Sequence, residues 1–333
     1  MKNLNRDIDK KVAVVGCKHT TKDLIIGLQR NGFAVDHCVT IGPEKGIEQK
    51  VAGYFNLANY LDDEGIPFTV ARTYNLKGKN DRETILNLGL DMLLVMGWQR
   101  LIPDWLLDSL SIGAFGMHGS SKPLPHGRGR SPMNWSLIQN KEIFYTHLFQ
   151  YLPGVDDGPV VGVQTFDINQ FDDCHTLHFK NTLSMIKLTS DFLPSLLDGS
   201  VQKENQQSEG ASYYPKRTAE DGLIFWDDTT LNLYNFIRAV TKPFPGAFGF
   251  LDDNPDEKVV IWKAIPFDTR LKWPNAISGE IVEVFYDGCF IVKTLDSTLL
   301  IQEYEGYKFT WVDVGRKLGN LGASLKVWED LPS

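Results

Sequence analysis

Val12-Ala13-Val14-Val15-Gly16 is a short run of apolar, mostly β-branched residues near the start of the chain. Such a run predicts a buried β-strand. Leu24, Ile25 and Leu28 follow at helical spacing, behind two threonines at 20–21 that can cap a helix. Because parallel sheets are built from strand–helix units, this opening predicts an α/β protein.

Strand and helix patterns continue to alternate along the first two thirds of the chain. Further strands are predicted at 33–40, 66–70, 91–96, 113–118, 144–150 and 160–167, and further helices at 50–64 and 176–197. This alternation favours a Rossmann-like, mostly parallel sheet that binds ligands at the carboxyl ends of its strands. Gly16-Cys17-Lys18-His19 does not match the GxGxxG fingerprint of dinucleotide-binding proteins. The sequence therefore lacks the motif that would best support NAD binding.

The pattern changes after the polar stretch 202–210, which has almost no apolar residues and predicts a linker. Short strands are predicted beyond it, at 259–265, 280–285, 290–293 and 299–303. Tyr286-Asp287-Gly288-Cys289 predicts a hairpin turn between two of them. The chain therefore ends, by this pattern, in a small β-rich domain.

The charge and cysteine content exclude several classes of protein. Lys and Arg number 34 and Asp and Glu 42, so the net charge of −8 disfavours general binding of nucleic acid. The four cysteines form no CxxC pair, which predicts reduced thiols and no metal site. Residues 1–10 are polar, and no stretch approaches the roughly 20 apolar residues of a membrane helix. We expect a cytoplasmic protein without a membrane partner.

Two titratable residues stand at places where such a sheet holds its chemistry. His118 ends a predicted strand and opens a loop rich in Gly, Pro and Ser, and an imidazole there can act as a general base. Asp156 lies in the turn Gly154-Val155-Asp156-Asp157-Gly158, and a carboxylate facing an imidazole orients it. A packed loop histidine and an ordinary turn aspartate explain the same residues, because aspartates favour turns. Neither residue decides the matter by itself.

Ordered landmarks around these two residues resemble the formyltransferase family that uses N10-formyltetrahydrofolate. That family carries Asn-x-His-x-Ser, then Leu-Pro-x-x-Arg-Gly, and later Gly-Val-Asp-x-Gly. The matching segments in this chain are 116–120, 124–132 and 151–158, with further similar landmarks at 97–103, 213–217, 237–239, 243–248 and 279–282. The resemblance spans most of the chain in the right order, which makes it more specific than any single motif.

The resemblance implies a fold and its division into domains. The fold class is α/β, with a Rossmann-like formyltransferase domain and a mostly parallel sheet, followed by a small β-rich, OB-like domain. We expect the catalytic domain at residues 1–200, the linker at 201–212, a helical connecting segment at 213–255 and the β-rich domain at 256–333. The oligomeric state stays open between a monomer and a homodimer.

The resemblance also implies roles for individual residues. His118 matches the catalytic histidine of the family and Asp156 its catalytic aspartate. N10-formyltetrahydrofolate would be the formyl donor and cosubstrate, and the implied mechanism requires no metal. The implied contacts to the folate come from Met96, Gly97, Trp98, Ser120 and Val155, largely through backbone groups.

The chain departs from the family pattern two residues before the histidine. The family has an asparagine there, whose amide donates a hydrogen bond to the developing oxyanion, and this chain has Gly116. Losing one such donor slows catalysis about a hundredfold or more. Ser120, Ser121 or a backbone amide could replace it, and the loop is two residues longer than usual.

Members of the family differ in the amine that accepts the formyl group. Members formylate nucleotide-linked amino sugars, methionyl-tRNA or smaller acceptors. The acidic charge favours a small acceptor, so a nucleotide-linked deoxyamino sugar for surface polysaccharides is the first choice, with Tyr213, Lys216, Arg217 and Arg238 as substrate-binding residues. Core packing of the aromatic ring and ordinary surface charges on helices explain the same four residues. Methionyl-tRNA formyltransferase, or a catalytically impaired binding relative, is the alternative.

Overall fold

Residues 10–51, 53–207, 209–328 and 331 are described in the structure, a computed structural model of the chain. The chain forms two compact units that are not contiguous in sequence. The first comprises residues 1–129, 143–166 and 179–212, and the second comprises 130–142, 167–178 and 213–333.

Strands and helices alternate through much of the first part of the described chain, and strands predominate towards its end. The strands are β1 (Val12–Val15), β2 (His37–Ile41), β3 (Phe68–Ala71), β4 (Met92–Val95), β5 (Gly113–Ser120), β6 (Arg128–Gly129), β7 (Ile143–Gln150), β8 (Val160–Asp167), β9 (Tyr213–Tyr214), β10 (Ala247–Leu251), β11 (Lys258–Pro266), β12 (Ile281–Val284), β13 (Phe290–Lys293), β14 (Thr298–Glu305) and β15 (Leu318–Gly319). The helices are α1 (His19–Arg30), α2 (Pro43–Glu48), α3 (Ala58–Asp63), α4 (Lys79–Leu86), α5 (Asp104–Leu107), α6 (Pro132–Ile138), α7 (Cys174–Leu197) and α8 (Thr230–Val240).

A seven-stranded sheet organises the first unit, in the order β3-β2-β1-β4-β5-β7-β8. The pairs from β3 to β5 are parallel, whereas β7 runs antiparallel to β5. All four residues of β1 are buried, as expected for a central strand covered on both faces. The predicted α/β class with a mostly parallel sheet is confirmed.

The first helix begins earlier than its threonines suggest. The residue before its first turn is Lys18, and Thr21 is the third residue of the helix. The Thr21 hydroxyl accepts the Lys18 N–H at 3.2 Å and donates to the Met96 carbonyl at 2.7 Å. Thr21 therefore joins the helix start to the end of β4, a long-range contact that helix-capping rules do not contain.

The helix predicted at 50–64 is wrong. Two six-residue helices, α2 and α3, flank an irregular segment instead. Gly46 packs against Tyr54, because an added Cβ would lie 2.6 Å from the Tyr54 ring. Lys50 takes a φ of 46°, which ends the first of these helices in a left-handed turn.

A six-stranded sheet organises the second unit, in the order β12-β13-β14-β11-β10-β15. Its pairs are antiparallel, and the register between β11 and β14 is interrupted by irregularities that bend the strands. The hairpin predicted at 286–289 joins β12 to β13. The predicted β-rich C-terminal domain is confirmed.

The contact units do not follow the predicted domain boundaries, which stay a prediction. Segments 130–142 and 167–178 lie before residue 200 yet belong to the second unit. The predicted linker is part of the first unit as far as Ser212, and Glu204 forms an isolated bridge with Val160 there. In the described part of the chain, no helix is both long and apolar enough to cross a membrane.

We predict that Leu28→Ala will lower the free energy of unfolding by about 2–5 kcal/mol, because Leu28 is fully buried in α1 and its loss leaves a cavity. Leu86→Ala is the matched control, since Leu86 ends α4 with 40% of its surface exposed. Urea unfolding of both variants measures the difference. Equal destabilisation by the two changes would contradict the described burial.

Candidate active site

Strand β5 carries the candidate histidine on its last part. Gly116 pairs with Val95 of β4, and His118 pairs with His147 of the antiparallel strand β7. The prediction that His118 ends its strand is therefore corrected, because β5 continues to Ser120. The antiparallel partner extends β5 beyond the end of the parallel ladder.

His118 and Asp156 come together in the first unit. The distance between Nδ1 of His118 and Oδ2 of Asp156 is 3.3 Å. The imidazole is buried, and the carboxylate keeps 18% of its side-chain surface exposed. The pair can exchange a proton internally while its carboxylate side remains open to a small molecule.

The backbone around the pair is shaped to hold Asp156 in place. Asp156 takes a φ of 52°, an uncommon left-handed conformation for a residue with a side chain. Its Oδ2 also accepts the N–H of Gly129 at 3.1 Å. Gly129 has a φ of 94°, which only glycine adopts readily, and this turns its amide toward the carboxylate.

Gln206 fixes the turn that contains Asp156. Its Nε2 donates to the carbonyls of Asp156 and Gly158, at 2.9 and 2.7 Å. Its Oε1 accepts from Nε and Nη2 of Arg128, at 3.2 and 2.7 Å. Gln206 lies among polar neighbours in the predicted linker, and no local signal in the sequence marks it as a support of the site.

Both ring nitrogens of His118 face acceptors. Nε2 lies 2.8 Å from the carbonyl oxygen of Gly127, so it carries a hydrogen that this carbonyl accepts. Nδ1 faces the Asp156 carboxylate. The ring can therefore take up a further proton only at Nδ1, next to the carboxylate that would stabilise the resulting charge.

His147 supports His118 from the neighbouring strand. Its Nδ1 donates to the His118 carbonyl at 3.2 Å, and its Nε2 accepts the N–H of Leu124 at 3.1 Å. Burial is the largest cause that lowers the pKa of His147 to about 4; the hydrogen bond to the His118 carbonyl opposes this shift, and the nearby His118 ring adds to it. His147 therefore stays neutral near pH 7 and joins β5 to the loop after it.

The residues expected to contact the folate lie in three segments of the first unit: 96–98 after β4, Ser120 at the end of β5, and Val155 in the Asp156 turn. Met96 is buried, and its carbonyl accepts from Thr21. Gly97 has a φ of 72°, and its carbonyl accepts the N–H of Cys17 at 3.3 Å. Trp98 packs edge-on against Tyr74, with its buried indole N–H unbonded, whereas Val155 is half-exposed in the Asp156 turn.

The Ser120 hydroxyl forms hydrogen bonds within the loop that follows β5. It donates to the carbonyl of His126 at 2.9 Å and accepts the N–H of Lys122 at 3.4 Å. Ser120 therefore shapes the loop after β5, and its role toward the folate stays a prediction.

The four residues expected to bind the acceptor lie in the second unit. Tyr213 and Lys216 are exposed. Arg238 is 7% exposed, and its guanidinium donates to the Asn235 side chain at 2.9 Å and to the carbonyls of Asn169 and Asp172.

Arg217 is enclosed by aromatic rings rather than open to a ligand. It lies 5.0, 5.4 and 5.9 Å from the ring centres of Trp135, Phe236 and Trp328, and it donates to the Asp221 carbonyl. Burial lowers the pKa of Arg217 to about 10. Arg217 and Arg238 therefore have partners inside the second unit, whereas Tyr213 and Lys216 are exposed, and the role of all four toward an acceptor stays a prediction.

Comparison with known proteins gives this geometry a context. Residues 216–308 match the family model described as formyl transferase, C-terminal domain. This match, over less than a third of the chain, agrees with the formyltransferase family predicted from the sequence. Among the described residues, no group of three or more His, Cys, Asp or Glu side chains is placed to hold a metal ion.

Three solved structures illustrate the fold likeness. HypX from Aquifex aeolicus, in complex with tetrahydrofolic acid, is 16% identical with a TM-score of 0.62, over 90% of this chain and 44% of that one. WlaRD, a sugar 3N-formyl transferase, is 15% identical with a TM-score of 0.62, over 90% and 98%. The N-formyltransferase from Helicobacter canadensis, with folinic acid and dTDP-3-aminofucose, is 16% identical with a TM-score of 0.61, over 89% and 100%. This chain thus spans less than half the length of HypX.

We predict that His147→Gln will reduce the loss of stability on acidification. Between pH 6.5 and about 4 the unfolded chain binds a proton at His147 that the folded chain does not, so stability falls as the pH falls through this range. The full effect is up to about 3 kcal/mol. Glutamine can keep both hydrogen bonds, and urea unfolding at pH 7 and pH 4.5 compares the proteins. Parallel pH curves would contradict a neutral His147.

We predict that Arg238→Met will lower the free energy of unfolding by about 2–4 kcal/mol, because it leaves buried acceptors without their donor. Lys216→Met, at an exposed position, should change it by less than about 0.5 kcal/mol. Chemical denaturation measures both. A stable Arg238→Met protein would return Arg238 to the candidate acceptor site.

Proposed function

We propose that this chain, whose C-terminal domain belongs to the formyl transferase family, transfers a formyl group from N10-formyltetrahydrofolate to a primary amine. The observation that carries the proposal is the His118–Asp156 pair, held at 3.3 Å with the carboxylate anchored by the Gly129 amide. A buried imidazole and a partly open carboxylate form a proton-accepting unit that formyl transfer to an amine requires.

The reaction begins when the unprotonated amine attacks the formyl carbon. The carbonyl electrons move to the formyl oxygen, and the attacking nitrogen loses a proton to the pair. Because Nε2 of His118 is committed to Gly127, this proton enters at Nδ1, where Asp156 stabilises the imidazolium. The bond from the formyl carbon to N10 then breaks, the pair returns the proton to N10, and a formamide and tetrahydrofolate leave.

The folate would approach along the backbone that surrounds the pair. Met96, Gly97 and Trp98 follow β4, and Val155 precedes Asp156 in its turn. The carboxyl ends of parallel strands are where open α/β sheets bind ligands. The complexes of HypX and the Helicobacter canadensis enzyme contain tetrahydrofolic acid and folinic acid, which supports a folate cosubstrate for this chain.

The acceptor we propose is the amino group of a nucleotide-linked deoxyamino sugar, made in the cytoplasm for surface polysaccharide synthesis. The chain covers 98–100% of two sugar-type N-formyltransferases, against 44% of HypX. Its net charge of −8 opposes the binding of a polyanion such as tRNA. Tyr213 and Lys216 are exposed and offer an aromatic ring and a cation of the kind that a nucleoside diphosphate binds.

We predict that the wild-type protein will consume N10-formyltetrahydrofolate only when a nucleotide-linked amino sugar is present. His118→Asn should reduce kcat about 100- to 10,000-fold, because the pair then loses its proton acceptor. Folate absorbance and mass spectrometry of the formamide product measure turnover across a panel of aminosugar nucleotides.

His175→Asn is the matched control, since His175 is exposed on α7, and it should keep wild-type kcat. Unchanged turnover in His118→Asn would remove His118 from the mechanism. Turnover only with charged initiator tRNA would replace the sugar acceptor by methionyl-tRNA, and formyl-folate binding with no product from any amine would indicate the impaired relative.

A further inference from the structure

The position of the missing family asparagine is filled by another side chain. A Cβ added to Gly116 would lie 2.2 Å from Cε2 of Tyr151 and 3.0 Å from its Cζ. No side chain fits at residue 116 while this ring is present. The phenol of Tyr151 therefore stands in the volume that an asparagine side chain would take.

The same face of the sheet carries Tyr151 and the catalytic histidine. Gly116 and His118 are two residues apart on β5, so both project to one face, roughly 7 Å apart along the strand. Gly116 pairs with Phe149, and Tyr151 stacks on Phe149 with ring centres 5.0 Å apart. The N–H of Tyr151 donates to Ala114 at 2.8 Å, which continues the ladder and fixes the ring beside Gly116.

We propose that Tyr151 is a catalytic residue whose hydroxyl donates a hydrogen bond to the formyl oxygen, in place of the asparagine that Gly116 removes. The inference rests on the proposed formyl transfer. As the amine nitrogen bonds to the formyl carbon, the carbonyl electrons move to oxygen, and the Tyr151 O–H stabilises that negative charge without giving up its proton. When the bond to N10 breaks, the electrons return and the hydrogen bond weakens.

Tyr151 stays a donor at any working pH. Burial raises the pKa of its hydroxyl far above the ordinary value, and the negative charge of Asp156 raises it further. The pairing of β5 with β7 and the bond from the Tyr151 N–H to Ala114 place this protonated phenol on the face of the sheet that carries His118.

Two other polar side chains, those of Ser120 and Asn134, are committed elsewhere. The hydroxyl hydrogen of Ser120 is given to the His126 carbonyl at 2.9 Å. The amide of Asn134 donates to the Ala239 carbonyl at 2.5 Å, inside the second unit. Tyr151 is the candidate whose ring takes up the place of the missing asparagine itself.

Tyr151→Phe tests the inference, because it removes one oxygen and keeps the ring against Gly116 and Phe149. We expect kcat to fall about 100-fold and KM for the formyl donor to rise about fivefold, since the bond exists in the ground state and strengthens as charge develops on the formyl oxygen. Tyr286→Phe, at a fully exposed tyrosine, is the matched control with unchanged kcat. Wild-type kcat in Tyr151→Phe overturns the inference.

A swap of donors gives a second measurement. Gly116→Asn alone should lose activity, because its Cβ meets the Tyr151 ring. Gly116→Asn combined with Tyr151→Ala should have at least about tenfold higher kcat than Tyr151→Ala alone, since the asparagine amide then has both the space and the position. No gain in the combined variant counts against the shared position.

Binding separates this inference from the proposed function, because it needs no acceptor. Wild-type protein and Tyr151→Phe are titrated with 10-formylfolate and with folate by calorimetry. Loss of the phenol should weaken 10-formylfolate roughly fivefold and leave folate unchanged. If Tyr151→Phe weakens only 10-formylfolate and the wild-type protein formylates no amine, the proposed function is refuted and the Tyr151 contact stands. If wild-type protein and Tyr151→Phe bind 10-formylfolate with equal affinity, the contact is refuted.

Discussion

The Asp156 carboxylate is the group on which the rest of the candidate site depends. Its Oδ2 faces Nδ1 of His118 and accepts the Gly129 amide, so β5, the loop after it and the Asp156 turn meet at one oxygen. Gln206 holds the turn from outside through two carbonyls. Charge-assisted hydrogen bonds are stronger and more directional than neutral ones, which is why one oxygen can set the geometry of three segments.

Much of the fold was predictable because its signals are local. Strand β13 was predicted at its observed bounds, and β1 begins at the predicted residue and ends one residue earlier than predicted. Continuous apolar runs and turn residues act over only a few positions, so the sequence alone contains these signals. The helix predicted at 50–64 failed because Tyr54 packs on Gly46, a contact that helical periodicity cannot contain. The start of α1 moved for a similar reason, the bond from Thr21 to Met96.

The site was predictable only where a motif marked it. His118 and Asp156 followed from ordered family landmarks and meet in the structure. Gln206, His147 and Tyr151 were missed as site residues, because each acts through partners more than 20 residues away in sequence. Arg217 and Arg238 were predicted from the sequence to bind a diphosphate. In the structure Arg217 lies against aromatic rings and Arg238 donates to carbonyl groups, so both cations already have partners within the protein.

Helix α6 bears on how far this protein is modular. It lies early in the chain, yet Asn134 donates to Ala239 and the indole of Trp135 donates to Pro215 at 3.0 Å. A fragment ending at residue 212 would leave that indole and that amide without these acceptors and would expose an aromatic surface to water. Exchange of the segment after residue 212 between relatives would therefore separate α6 from its hydrogen-bond acceptors. We expect a chimeric protein to fold only if α6 and the segment after residue 212 come from the same parent.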